Sequence, residues 1–151
     1  MNAKDVLKEI LEAEIGAGKP LEGIEAVKLS NENLTDKAKF ILLWNQTEEN
    51  MPNIGNRFSL CKRTVEMHMI FRDAEQSSDT IRAAVIAKLE AARSVIKANP
   101  TLQCTSVPAG FAVRTEIGEM QDATPDLGEG GINSHAAIAS IGIWYFVQEW
   151  S

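Results

Sequence analysis

The residues able to do chemistry are few. Two histidines, His68 and His135, are the chain's only imidazoles, and Cys61 and Cys104 are its only thiols. A structural zinc site takes four such ligands, and a catalytic one takes three plus water. Neither histidine has further ligands at matching spacing: there is no H-E-x-x-H, no C-x-x-C and no calcium-loop pattern. The cysteines read as two reduced, semi-buried thiols. The stretch Gly128-Glu129-Gly130-Gly131 has the glycines of a phosphate loop, but no Lys-Ser or Lys-Thr follows it and a carboxylate stands where phosphate would approach. A hairpin tip accounts for those glycines better. No G-x-S-x-G elbow offers a serine nucleophile. Carboxylates such as Glu116 and Glu119 are able in principle to exchange protons, and an exposed acidic hairpin explains them with fewer assumptions. The expectation is therefore a non-enzyme, with no catalytic residue, cofactor or metal.

Composition supports an ordinary folded chain. The 151 residues are 44% hydrophobic and 24% charged, which suits one domain spanning 1–151 with a core of useful size. No apolar run reaches the roughly 18 residues of a membrane helix. The opening Met1-Asn2-Ala3-Lys4-Asp5 is polar and reads as the start of a helix, not as a secretion signal. The net charge of −6 is unevenly placed. From Thr115 onward there is no Lys or Arg, but there are six acids: Glu116, Glu119, Asp122, Asp126, Glu129 and Glu149. The preceding residues are neutral in sum. This tail end is unsuited to gripping a phosphate backbone. It reads either as a solvated acidic loop or as a dedicated charged surface.

Hydrophobic spacing then assigns the elements. Val6, Leu7, Ile10, Leu11 and Ile15 share one helical face, Asn2 or Asp5 can cap it, and Gly16, Gly18 and Pro20 stop it. An extended segment follows at about Ile24 to Leu29. Lys39 to Trp44 reads as a strand buried on both faces or nearly so, the alternative being a helix from Thr35. Thr47 to Asn56 carries Pro52 and Gly55 and reads as a turn or hairpin loop. Val65, Met67, Met69 and Phe71 alternate with Thr64, Glu66, His68 and Arg72, the pattern of a half-buried strand. Ser77, Ser78 and Asp79 offer caps for a long helix bearing Ile81, Val85, Leu89, Ala92 and Ile96, ended by Asn99-Pro100. A last hairpin pairs Phe111–Ile117 with Ala136–Gln148 around a long Gly-rich loop at about 121–135, expected to be flexible. The expected fold is α+β: a single antiparallel sheet with two main helices packed on one face.

The final strand breaks the rule for such a sheet. Ile143, Tyr145 and Val147 point to one face and Trp144 and Phe146 to the other, so both faces are apolar. Either a folded-back loop or the N-terminal segment covers the second face, or another subunit does.

In size and element order the chain resembles the tail terminator proteins of long-tailed bacteriophages. The resemblance rests on the opening helix Val6 to Ile15 and the strand pair Phe40–Trp44 and Thr64–Phe71 with its intervening loop. It continues through the long helix Ser77 to Ala98 and the closing hairpin that ends in Tyr145-Phe146-Val147. It covers nearly the whole chain and lies in layout, not in a catalytic motif. It implies a virion protein, assembled in the host cytoplasm, that forms a homo-oligomeric ring, expected to be a hexamer, on the end of the tail tube. Such a ring stops tube polymerisation and presents a surface for head–tail joining. The implied partners are a second copy of the chain, the tail tube protein and the head-completion or connector protein, with no membrane. DNA passes through the channel without specific binding. Trp144, Phe146, Leu127 and Ile132 are then the expected subunit contacts, and Asp122, Asp126 and Glu129 the expected acids facing the channel or a partner. The alternatives are another neck, tail-completion or tube-related subunit, a small ligand-binding α+β domain, or an enzyme of unfamiliar type.

Overall fold

A computed structural model describes residues 2–30, 32, 38–53, 58–72, 78–122 and 134–148. The element order is α1 (Ala3–Glu12), β1 (Ala26–Leu29), β2 (Lys39–Asn53), β3 (Phe58–Arg72), α2 (Ser78–Lys97), β4 (Arg114–Asp122) and β5 (Ser134–Gln148). The five strands form one sheet in the order β1-β2-β3-β5-β4.

Helix α1 forms where its apolar spacing and its cap agree. The Asn2 side chain accepts from the Asp5 amide at 3.1 Å, and the Asp5 carboxylate accepts from the Asn2 amide at 3.2 Å. This reciprocal box satisfies two amides that the first helical turn leaves without partners. Val6, Leu7, Ile10 and Leu11 are buried. Gly16 and Gly18 take φ of 141° and 76°, backbone that favours glycine and carries the chain out of the helix. Helix α2 buries its expected stripe, Ile81, Val85, Leu89, Ala92 and Ile96, each at 1% exposure or less.

The sheet is mixed, which corrects the expectation of a purely antiparallel one. β1 runs parallel to β2, with Ala26 opposite Phe40 and Leu29 opposite Leu43. A parallel pair requires the connection between the two strands to return to the end from which the first began. A tight hairpin would have reversed the second strand. Both β3 and β4 lie antiparallel to β5, which sits between them. Chain direction therefore requires a long crossover from β3 to β4, and α2 supplies it.

The strands are also longer than expected. β2 continues through Asn53 and β3 starts at Phe58, so the residues read as a turn from Thr47 onward are largely ladder. Pairing across the hairpin overrides the polar composition, and two register shifts, between Asn45 and Thr47 and between Asn50 and Asn53, absorb it. At the other end Gln121 and Asp122 belong to β4, and Ser134 and His135 to β5, which narrows the loop expected at 121–135. The rest of that loop lies outside the described residues.

One cluster of buried side chains forms the core. It joins the apolar sides of α1 and α2 to Val27, Ile41, Leu43, Val65, Met67, Met69, Phe71, Ala137, Ala139, Ile141 and Ile143. Strand pairing places these strand residues in register on one face: Leu43 opposite Met67 and Met67 opposite Ala139. A bulge in β4 keeps both Ile117 and Met120 against this cluster, because three steps along β4 span two along β5. Arg93 of α2 donates to the Gly118 carbonyl inside that bulge at 3.1 Å. Cys61 is buried and Cys104 half-buried, and neither forms a disulfide.

The second face of the sheet as a candidate interaction site

Residues of the other parity line the opposite face. Register sets Phe40 beside Ile70 and Ala136, Leu42 beside His68 and Ile138, and Trp44 beside Glu66 and Ser140. Further along, Thr64 meets Gly142 and Glu116, Lys62 meets Trp144 and Arg114, and Leu60 meets Phe146. None of Phe40, Leu42 and Trp144 belongs to the core cluster, yet all three are buried. Two large aromatics on this face remain open, Trp44 at 49% exposure and Phe146 at 46%. Exposed large aromatics on a sheet face, flanked by polar and charged residues, are the kind of surface that proteins bury in contacts.

Trp144 is expected from sequence as a contact residue, and the structure separates it from Phe146. It is only 8% exposed. The Arg114 guanidinium sits 4.1 Å from its ring centroid and the Lys62 ammonium 4.9 Å. Its ring also folds back over Gly142, where an added Cβ would come within 3.2 Å of Trp144 Cζ3. Trp144 is thus a covered ring whose cations face outward, and Phe146 is the accessible aromatic. Trp44 is the residue that sequence reasoning missed. Its strand reads as doubly buried, which holds for Phe40 through Leu43 and ends at Trp44. No signal in the sequence marked it: Trp44 lies one residue past the last β2 position paired with the short β1, and that pairing is decided by the fold.

Of the acids expected to face a channel or partner, Asp122 is described. It is opposite Ala137, on the core side of the sheet, and its carboxylate meets Arg82 of α2 at 2.6 Å. Asp122 thus already pairs with one cation of α2, in an ion pair left partly open to solvent. Asp126, Glu129, Leu127 and Ile132 lie outside the described residues. A hollow of about 170 Å³ adjoins this ion pair, lined by Arg82, Val85, Ile86, Met120, Gln121, Asp122 and His135–Ala137.

His68 is the histidine of the second face. Its Nε2 lies 3.3 Å from Glu66 Oε2, without the alignment of a hydrogen bond. Burial lowers its pKa below the ordinary 6.5, and the Glu66 carboxylate offsets part of that. Below pH 6.5 the unfolded chain takes up a proton that the folded chain resists. Stability present above that pH is therefore lost as pH falls towards the folded-state pKa, and levels off below it. In denaturant titrations across this window, His68→Gln should flatten the His-dependent part of the slope. An unchanged slope would show that other groups carry it.

Among the described residues no group of three or more His, Cys, Asp or Glu is placed to hold a metal ion. Among the described residues no helix is long and apolar enough to cross a membrane. In comparison with known proteins, the chain matches no protein-family model and no curated protein. The physical surface is thus the main guide to what the chain does.

Proposed function

We propose that the chain is a structural subunit of a phage tail, a terminator that caps the tube as a homo-oligomeric ring of six and offers a surface for head joining. The observation that carries this reading is the second sheet face, which mixes apolar with charged residues and leaves two large aromatics, Trp44 and Phe146, open. We take both helices to cover the core face, so that the second face is left for a neighbouring subunit. A ring needs two different patches per subunit, one meeting the other around the circle. Layout supports the phage assignment: opening helix, long strand pair, long helix and closing hairpin occur in the order on which the resemblance rests. In this reading the tube protein and the head-completion protein contact opposite rims, and DNA passes through the channel. Asp122, Asp126 and Glu129 then face either the channel, where they repel phosphate and keep DNA from sticking, or a basic patch on a partner.

The test is to delete the chain from the virus that encodes it and to image the particles by electron microscopy. Overlong, unjoined tails, restored to normal length by the parent chain and not by Phe146→Asp, are the expected result. Tails of normal length joined to heads without the chain would sink the reading.

A further inference from the structure

We propose that the hollow beside the Arg82–Asp122 ion pair is a binding site for a small neutral compound of the size of phenol, a single ring carrying one hydroxyl or amino group. The site lies on the core side of the sheet, away from the face assigned to contacts, so it stands or falls independently of the proposed function.

Three elements build it. Arg82, Val85 and Ile86 come from one side of α2, at helical spacing. Met120 and Asp122 come from β4, opposite Ala139 and Ala137. His135 and Ala137 follow on the same side of β5, opposite Phe71 and Met69. The space has a cause in the sequence. At this end β5 gives the core Ala137 and Ala139, whereas further along it gives Ile141 and Ile143. The methyl of Ala137 leaves a hollow of about 170 Å³ under α2. An apolar cavity of about 150 Å³ is enough to hold benzene, so the volume sets the ligand at one ring.

The lining sets its chemistry. Val85, Ile86, Met120 and Ala137 offer hydrocarbon and a thioether, which suit an aromatic body. The charged lining is the Arg82 guanidinium and the Asp122 carboxylate, 2.6 Å apart. That pair balances its own charge. An ionic ligand would bring an unbalanced charge to a largely apolar site, and a hydroxyl or amino group brings none. His135 adds a demand of its own: its Nδ1 is buried and has no hydrogen-bond partner. A buried nitrogen in that state costs free energy until a polar group reaches it. A ring with one polar end answers both halves of the lining.

The experiment titrates phenol into the full, isotope-labelled chain and follows the amide resonances by NMR. Saturable shifts centred on residues 82–86, 120–122 and 135–137 are expected, with an unfolding midpoint that rises with phenol concentration. Benzoate, an anion of similar size, should bind several-fold more weakly. Ala137→Leu fills the hollow and should abolish the saturable shifts in a folded chain. Ile86→Trp, on the exposed side of α2, replaces it if Ala137→Leu fails to fold. His135→Phe keeps a ring and removes both nitrogens, and should weaken phenol a few-fold. No saturable binding, shifts spread over other parts of the chain, benzoate binding as tightly as phenol, or unchanged binding in the filled variant or in His135→Phe would each overturn the proposal.

Discussion

A Met67→Ala variant is expected to lose about 2–5 kcal/mol of unfolding free energy, the range for truncating a long buried side chain. Met67 lies at the centre of the molecule. It is on β3, the middle strand, fully buried, with Leu43 on one side and Ala139 on the other. Ala139 is small, so little on that side can move in to fill the space. A domain of this kind is stable by only about 5–15 kcal/mol, so the change is a large fraction of the total. Urea denaturation followed by circular dichroism measures it. Ile86→Ala, on the exposed side of α2, is the comparison and should change stability by less than about 1 kcal/mol. Equal midpoints for the two variants would mean that the β3 cluster is not the core described above.

Trp144→Ala should cost about 3–5 kcal/mol, although the residue lies on the face assigned to contacts. The reasons are local. Truncation uncovers Gly142 beneath the ring and leaves Lys62 and Arg114 without the aromatic surface on which they rest. The cation contacts add about 0.5–1 kcal/mol each at such sites. Trp144→Phe keeps a ring in place and should recover much of the loss. Phe146→Ala, two residues along on the same face, removes a half-exposed ring and should cost about 1 kcal/mol or less. The two variants therefore separate folding from assembly. Trp144→Ala should lower the unfolding midpoint, whereas Phe146→Ala should keep it and weaken self-association. A Trp144→Ala protein as stable as the parent would refute the role given to that ring.

Local patterning decided much of the architecture. The alternation from Val65 to Phe71, the stripe from Ile81 to Ile96 and the Asn2–Asp5 cap are short-range features, and each appears where periodicity or capping chemistry places it. The doubly apolar end of β5 was legible for the same reason: in a strand, neighbouring side chains point to opposite faces whatever the partners are. Partners were the part that periodicity does not encode. The parallel sense of β1, the insertion of β5 between β3 and β4, and the strand character of residues 47–53 depend on where the chain returns, a long-range matter.

Burial on the second face shows the same division. Sequence alone ranks Trp144 and Phe146 alike, as aromatics near the end of β5, and reads Trp44 as buried. The fold buries Trp144, because β3 and β4 bring Lys62 and Arg114 to it from either side, and leaves Trp44 where β1 has ended. It also ties Asp122 to Arg82, because the β4 bulge turns that carboxylate towards α2. Side-chain type and spacing settled which residues seek cover. Strand order and register, set by contacts between residues far apart in the chain, settled which of them found it.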